Sequence, residues 1–190
     1  MKWIFSLILG LLVSPGFAQE ADNVFDVRVT VTPVNDQYLI NASYVVPTSL
    51  CSAFASITDY EASNIPGVIE SKVLSRSGNK VRVARVIDQE VLFFHLQMRS
   101  QMEYTEIPNK MLQFEQISGD AKMYKGTWKL SPNQEKILFT YEAMLEPHSL
   151  APSAVIEYYI KNNIQDQFMH MAERAAHRKS VDSVACLNGH

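Results

Sequence analysis

Between Val68 and Leu145 the chain alternates apolar and polar residues through six stretches separated by short turns. That pattern folds as antiparallel strands with one dry face. The stretches are Val68–Ser75, Lys80–Ile87, Glu90–Ile107, Lys110–Ile117, Lys122–Leu130 and Gln134–Leu145. In the long third stretch Leu92, Phe94, Leu96, Met98, Met102 and Tyr104 share one parity, while His95, Gln97, Arg99, Gln101 and Glu103 share the other. Leu112 and Phe114, then Tyr124, Trp128 and Leu130, then Ile137, Phe139, Tyr141, Ala143 and Leu145 extend the apolar parity through the next three stretches. One face of the expected sheet is therefore aromatic and methionine-rich, and the other is polar.

Ahead of this meander, Phe25–Thr32 and Gln37–Val46 flank the turn-forming Pro33-Val34-Asn35-Asp36 and predict a first hairpin. Thr48 or Ser49 caps a short helix with Leu50, Phe54 and Ile57 on one side, ending near Thr58–Glu61. A second short helical or irregular piece runs to Pro66-Gly67. At the far end Pro152 or Ser153 opens a long helix whose stripe is Ile156, Ile160, Ile164, Phe168, Met171 and Ala175, widened by Val155, Tyr159 and Ala172. The only large apolar surface available to that stripe is the dry face of the sheet. A helix about 10 Å wide does not cover a wide twisted sheet alone. The space between them is either filled by the large inward side chains or left as an apolar cavity.

The N-terminus reads as an export leader. Lys2 precedes the apolar run Trp3–Val13, and small residues at Gly16 and Ala18 set a cleavage site after Ala18. The run is short for a membrane span, which takes about 20 apolar residues. The expected organisation is a signal peptide at 1–18, one domain at 19–179 and a flexible tail at 180–190, in an exported, periplasmic protein. The net charge of −3 argues against a nucleic-acid partner. The two cysteines, Cys51 and Cys186, either pair in an oxidising compartment or remain a buried thiol and a tail thiol.

The element order is matched by local text: Val46-Pro47, then Phe54-Ala55-Ser56-Ile57-Thr58-Asp59-Tyr60-Glu61, Ile65-Pro66-Gly67-Val68, Ser71-Lys72-Val73-Leu74, Gly126-Thr127-Trp128-Lys129-Leu130 and Thr140-Tyr141-Glu142. In these segments the chain resembles the START-like (SRPBCC) superfamily over about Asn41 to Ala176. The nearest branch is the coenzyme Q-binding, polyketide cyclase/dehydrase-like group. The resemblance implies an α+β helix-grip fold: a curved antiparallel sheet around a long C-terminal helix, with two short helices after the first hairpin. It also implies a hydrophobic ligand, such as a lipid or isoprenoid quinone, held between sheet and helix. The leader and the first hairpin depart from the familiar quinone-binding members.

The candidate ligand-binding residues are Phe94, Leu96, Met98, Met102, Tyr104, Phe114, Tyr124, Trp128, Phe139 and Tyr141 on the sheet. Ile156, Ile160, Ile164 and Phe168 join them from the helix. No HExxH, paired-cysteine, GxSxG or glycine-rich phosphate motif is present, so no metal, cofactor or catalytic residue is assigned. His95 lies on the polar parity, His148 in a loop, and His170, Glu173 and His177 on the outer side of the helix stripe. Tyr104, Tyr124 and Tyr141 could orient a carbonyl or promote enolisation, the route to a cyclase. Three functions stay open: a carrier of a hydrophobic molecule with a transient membrane-surface contact, a cyclase/dehydratase-type enzyme on an aromatic or polyketide-like substrate, and an envelope accessory protein with a filled core.

Overall fold

The structure, a computed structural model, describes residues 23–62, 65–91, 94–148, 158 and 163–178, with side chains set aside at 89–91 and 94–96. Eight strands run β1 (Arg28–Val34), β2 (Gln37–Val46), β3 (Val68–Ser77), β4 (Lys80–Val91), β5 (Phe94–Ile107), β6 (Met111–Gly119), β7 (Ala121–Asn133) and β8 (Lys136–Pro147). Helix α1 (Leu50–Ile57) follows β2, and helix α2 (residues 163–178) ends the described chain. The leader, the tail and the start of the long helix expected from Pro152 lie outside the described residues.

The sheet is antiparallel and open, ordered β1-β2-β8-β7-β6-β5-β4-β3. Only one neighbour pair, β2 with β8, is not consecutive in sequence. The chain leaves β2 through α1, crosses to the far edge at β3, and meanders back until β8 pairs with β2. The crossing segment thus spans the width of the sheet under its apolar face. It covers the end where Tyr60 rests on Tyr104, ring centroids 4.7 Å apart.

Local chemistry sets the turns. Asn35 at φ 55° and Gln134 at φ 56° close two-residue hairpins between Val34 and Gln37 and between Asn133 and Lys136. The first turn is tighter than its composition suggests, because Pro33 and Val34 remain in β1. Pro33 is tolerated there since β1 is an edge strand. Pro132 is tolerated in β7 because the β6 ladder stops at Met111↔Lys129, so nothing on that side asks for its missing N–H. Ser49 caps α1, its Oγ accepting from the Ser52 N–H at 3.1 Å, and Thr58 closes the helix by donating to the Phe54 carbonyl. Between α1 and β3 the described residues form turns around Tyr60 and Pro66-Gly67, where the second short helix was expected.

The core lies on the inner face. Ile40, Ala42, Tyr44 and Val46 of β2, Val81 and Val83 of β4, Met102 and Tyr104 of β5, Leu112 and Phe114 of β6, Trp128 and Leu130 of β7, and Ile137 to Ala143 of β8 alternate with exposed residues. Phe168, Ala172 and Ala175 bring α2 onto it. The two fully buried alanines let the helix backbone approach the sheet closely.

Candidate functional site on the inner face

The inner face is built by a row across the centre of the sheet. By register Tyr104 faces Phe114, Phe114 faces Gly126, and Gly126 faces Ala143. The two small residues leave a depression, and the Phe114 ring leans into it. Phe114 stacks on Tyr141 at 5.7 Å and meets Tyr124 edge-on at 5.2 Å. Trp128 continues the contacts to Tyr141 at 4.7 Å and to Tyr44 at 6.1 Å. Phe168 of α2 closes over this layer, 5.8 Å from Trp128 and 5.1 Å from Tyr141. Such edge and offset contacts are the favoured aromatic geometries.

The Tyr124 and Tyr141 hydroxyls are 2.7 Å apart and hydrogen-bonded. Burial, above all, pushes the Tyr141 phenol well above its ordinary value, and the Tyr124 hydroxyl adds to it. The same cause raises Tyr44, offset in part by Arg174, and Tyr60, whose hydroxyl donates to Glu106 Oε1 at 2.8 Å. These phenols are protonated at neutral pH. Tyr60 and Tyr141 spend their hydroxyls on hydrogen bonds to Glu106 and Tyr124.

Among the described residues, the charged side chains near the layer each have a partner, and Arg174, whose guanidinium is partly desolvated, acts on the Tyr44 phenol. Arg76 bonds both oxygens of Glu106 at 3.0 Å, beside Tyr60. Arg85 donates to Ser71 Oγ at 3.2 Å. Asp59, just past α1, receives Arg178 at 2.5 Å and has Arg174 at 4.0 Å, which pins α2 to the crossing segment. Cys51 on α1 is disulfide-bonded, and the only other cysteine in the sequence is Cys186. Two open grooves, of about 560 and 400 Å³, lie on the opposite face among outward residues such as Lys80, Glu103, Thr127, Lys129 and Glu142. Among the described residues no group of three or more His, Cys, Asp or Glu side chains could hold a metal.

Of the residues singled out in the sequence, Met102, Tyr104, Phe114, Trp128, Tyr141 and Phe168 are buried together on the inner face. Tyr124, Met98 and Ile164 are half-buried. Phe139 is wholly enclosed and stacked on Tyr44 at 4.6 Å, so it supports the layer from within the core. Phe94, Leu96, Ile156 and Ile160 lie outside the residues whose side chains are described. Tyr44 and Tyr60 were not singled out. Tyr44 carries the inward parity of Tyr38, Ile40, Ala42 and Val46 and could have been found there, whereas Tyr60 sits in a turn with no periodicity to mark it.

A family model described as polyketide cyclase / dehydrase and lipid transport matches residues 46–171. The chain belongs to this family. No curated protein matches its sequence. Among solved structures, a STAR-related lipid transfer protein from Xanthomonas axonopodis is similar at a TM-score of 0.64 and 14% identity, over 86% of this chain and 97% of that one. A protein of Thermus thermophilus, TTHA0849, is similar at 0.64 and 16%, over 76% and 99%. The Zhui aromatase/cyclase from Streptomyces sp. R1128 is similar at 0.60 and 10%, over 79% and 98%. At such identities these likenesses establish the fold, which is the START-like helix-grip. The family match begins at Val46, so the β1–β2 hairpin lies almost wholly ahead of it. Within this polyketide cyclase and lipid transport family, the Gly126-Thr127-Trp128 segment has a direct physical reading. Gly126 makes room for Phe114, and Trp128 carries the contact to α2.

Proposed function

We propose that this protein is an exported carrier that holds a hydrophobic molecule, a lipid or an isoprenoid quinone, between the inner face of the sheet and the C-terminal helix. The observation that carries the reading is the continuous aromatic layer from Tyr104 through Phe114, Tyr141 and Trp128 to Phe168. A chain buried against such a surface gains about 0.8 kcal/mol per methylene, so affinity needs few polar contacts. The family description, which includes lipid transport, supports the same class of ligand. Burial holds the Tyr141 phenol protonated, so at the centre of the layer it offers a hydrogen bond without bringing charge.

Export is supported by the leader-like N-terminus and by the bonded state of Cys51, since disulfides persist in oxidising compartments. Delivery of a lipid calls for a transient contact with a membrane surface. Ile69 and Leu74 are large, exposed, and sit at the two register shifts of edge strand β3, which suits such a contact.

The test is native mass spectrometry of the protein purified without detergent from the export compartment, followed by solvent extraction. The expected result is an adduct of lipid or quinone mass that solvent releases. A clean apo mass that persists after incubation with envelope lipids overturns the carrier reading.

A further inference from the structure

Arg85 carries the inward parity of Val81 and Val83 on β4, and its register partners are Ser71 on β3 and Ser100 on β5. It is half-buried. Among the described residues its one hydrogen bond runs from Nε to Ser71 Oγ at 3.2 Å. A guanidinium has five N–H donors, so the four on the Arg85 Nη atoms meet no described acceptor. Ser71 connects this residue to a second pair of guanidiniums. Its Oγ also donates to the carbonyl of Tyr60, which follows Asp59 in the chain. Asp59 receives Arg178 and lies 4.0 Å from Arg174. That contact is too long for a hydrogen bond, although the Arg174 side chain is only 18% exposed. Arg174 and Arg178 stand one turn apart on α2, an unfavourable spacing for like charges.

Three guanidiniums thus gather around one carboxylate. Desolvation, above all, holds the Arg174 pKa below its ordinary value; Asp59 and Tyr44 oppose the shift, while Arg178 and Arg85 add to it. The unmet donors stay reachable. Among the described residues, the one buried side-chain atom sealed from solvent without a partner is Thr48 Oγ1, and no arginine nitrogen is in that condition. We propose that Arg85 and Arg174, with Arg178 at the rim, form a binding site for a phosphate group where β4, α2 and the turn after α1 meet. Three positive charges and one negative leave a surplus of two. A phosphate monoester, at about −1.5 to −2 near neutral pH, matches that surplus better than a single carboxylate does. The guanidinium fork also fits phosphate oxygens two at a time. The group arrives either as free phosphate or as the headgroup of a lipid. The site stands apart from the carrier reading and does not rest on it.

The experiment titrates the purified protein at neutral pH and low ionic strength with inorganic phosphate and, separately, with dioctanoyl phosphatidic acid, and reads binding by calorimetry. Saturable binding at one site per chain is expected. Arg85→Gln and Arg174→Gln are each expected to weaken it by about tenfold or more, the worth of hydrogen bonds to a charged group. Arg85→Lys keeps the charge without the fork and should recover only part of the loss. Arg28→Gln, an exposed arginine on β1, should bind as wild type does. Melting temperatures accompany each variant. If Arg174→Gln loosens α2, the comparison of Arg85→Gln with Arg85→Lys carries the decision. Phosphatidic acid binding much more tightly than inorganic phosphate assigns the group to a lipid headgroup; equal affinity assigns it to free phosphate. Failure of both to bind at millimolar concentration overturns the site, and so does undiminished binding to the glutamine variants. The carrier reading survives either failure, since native mass spectrometry tests it separately.

Discussion

The ring of Phe114 on β6 occupies the space that a side chain on Gly126 of β7 would need. A Cβ built on Gly126 would stand 2.6 Å from Phe114 Cζ and 2.8 Å from Ala143 Cβ, and would also crowd the Glu142 carbonyl oxygen. Strand, neighbouring strand and aromatic layer are therefore interlocked at one point. The depression that holds Phe114 exists only because both Gly126 and Ala143 are small.

Gly126→Ala is expected to destabilise the fold by about 1–3 kcal/mol, the usual cost of overpacking a tight core. Urea unfolding followed by tryptophan fluorescence, with Trp128 on the same strand, reads the change. The clash includes backbone atoms, so relaxation of the Phe114 ring alone does not relieve it. An unchanged midpoint would show that the β7–β8 ladder can separate locally.

Phe168 is the largest buried side chain that α2 sets on the sheet, lying over Trp128 and Tyr141. Phe168→Ala is expected to cost about 3–5 kcal/mol. It should also raise hydrogen exchange along residues 163–178 before the rest of the protein opens. Asp59→Ala removes the anchor of Arg174 and Arg178, whose side chains are partly exposed. The expected loss is at most about 1 kcal/mol, with faster exchange confined to the same helix.

The sheet was legible in the sequence because alternation with period two survives wherever one face is dry. The parity shared by Met102, Tyr104, Phe114, Trp128 and Tyr141 put them on one face, where the structure buries them. The way the layer closes was not legible. Whether Phe114 stacks on Tyr141 depends on Gly126 and Ala143 lying opposite each other, which is a matter of register between strands distant in sequence. Tyr60 was invisible for a different reason: it reaches the core from a turn, placed by its hydrogen bond to Glu106 and by Ser71, whose Oγ bonds the Tyr60 carbonyl. The Asp59 ion pairs join residues more than a hundred positions apart, and no local pattern announces them.

Cys51 gives a prediction on covalent structure. Cys51 is disulfide-bonded and the sequence holds one other cysteine, so the expected bridge is 51–186, which would close a long loop and restrict the unfolded state. Peptide mapping without reductant should recover the two cysteines in one linked species. Reduction, or Cys51→Ala, is expected to lower stability by about 2–4 kcal/mol. Two free thiols in the protein isolated from its native compartment would contradict both the bridge and the proposed export.

The buried phenols set the alkaline limit of the fold. Tyr44, Tyr60 and Tyr141 are raised above the value of about 10 that an unfolded tyrosine shows, chiefly because burial penalises the phenolate. Below pH 10 both folded and unfolded chains keep these groups protonated, and their contribution to stability is fully present. Above pH 10 the unfolded chain releases protons that the folded chain retains, so stability falls as pH rises. Tyrosinate absorbance near 295 nm should therefore rise in two phases. The more accessible of the eight tyrosines ionise reversibly first. The buried ones follow only in a step that coincides with loss of far-UV circular dichroism. A Tyr141→Phe variant should lose amplitude from the second phase alone. Smooth ionisation of all tyrosines near pH 10 with the fold intact would mean that the aromatic layer is open to water, and would count against the dry inner face on which the carrier reading rests.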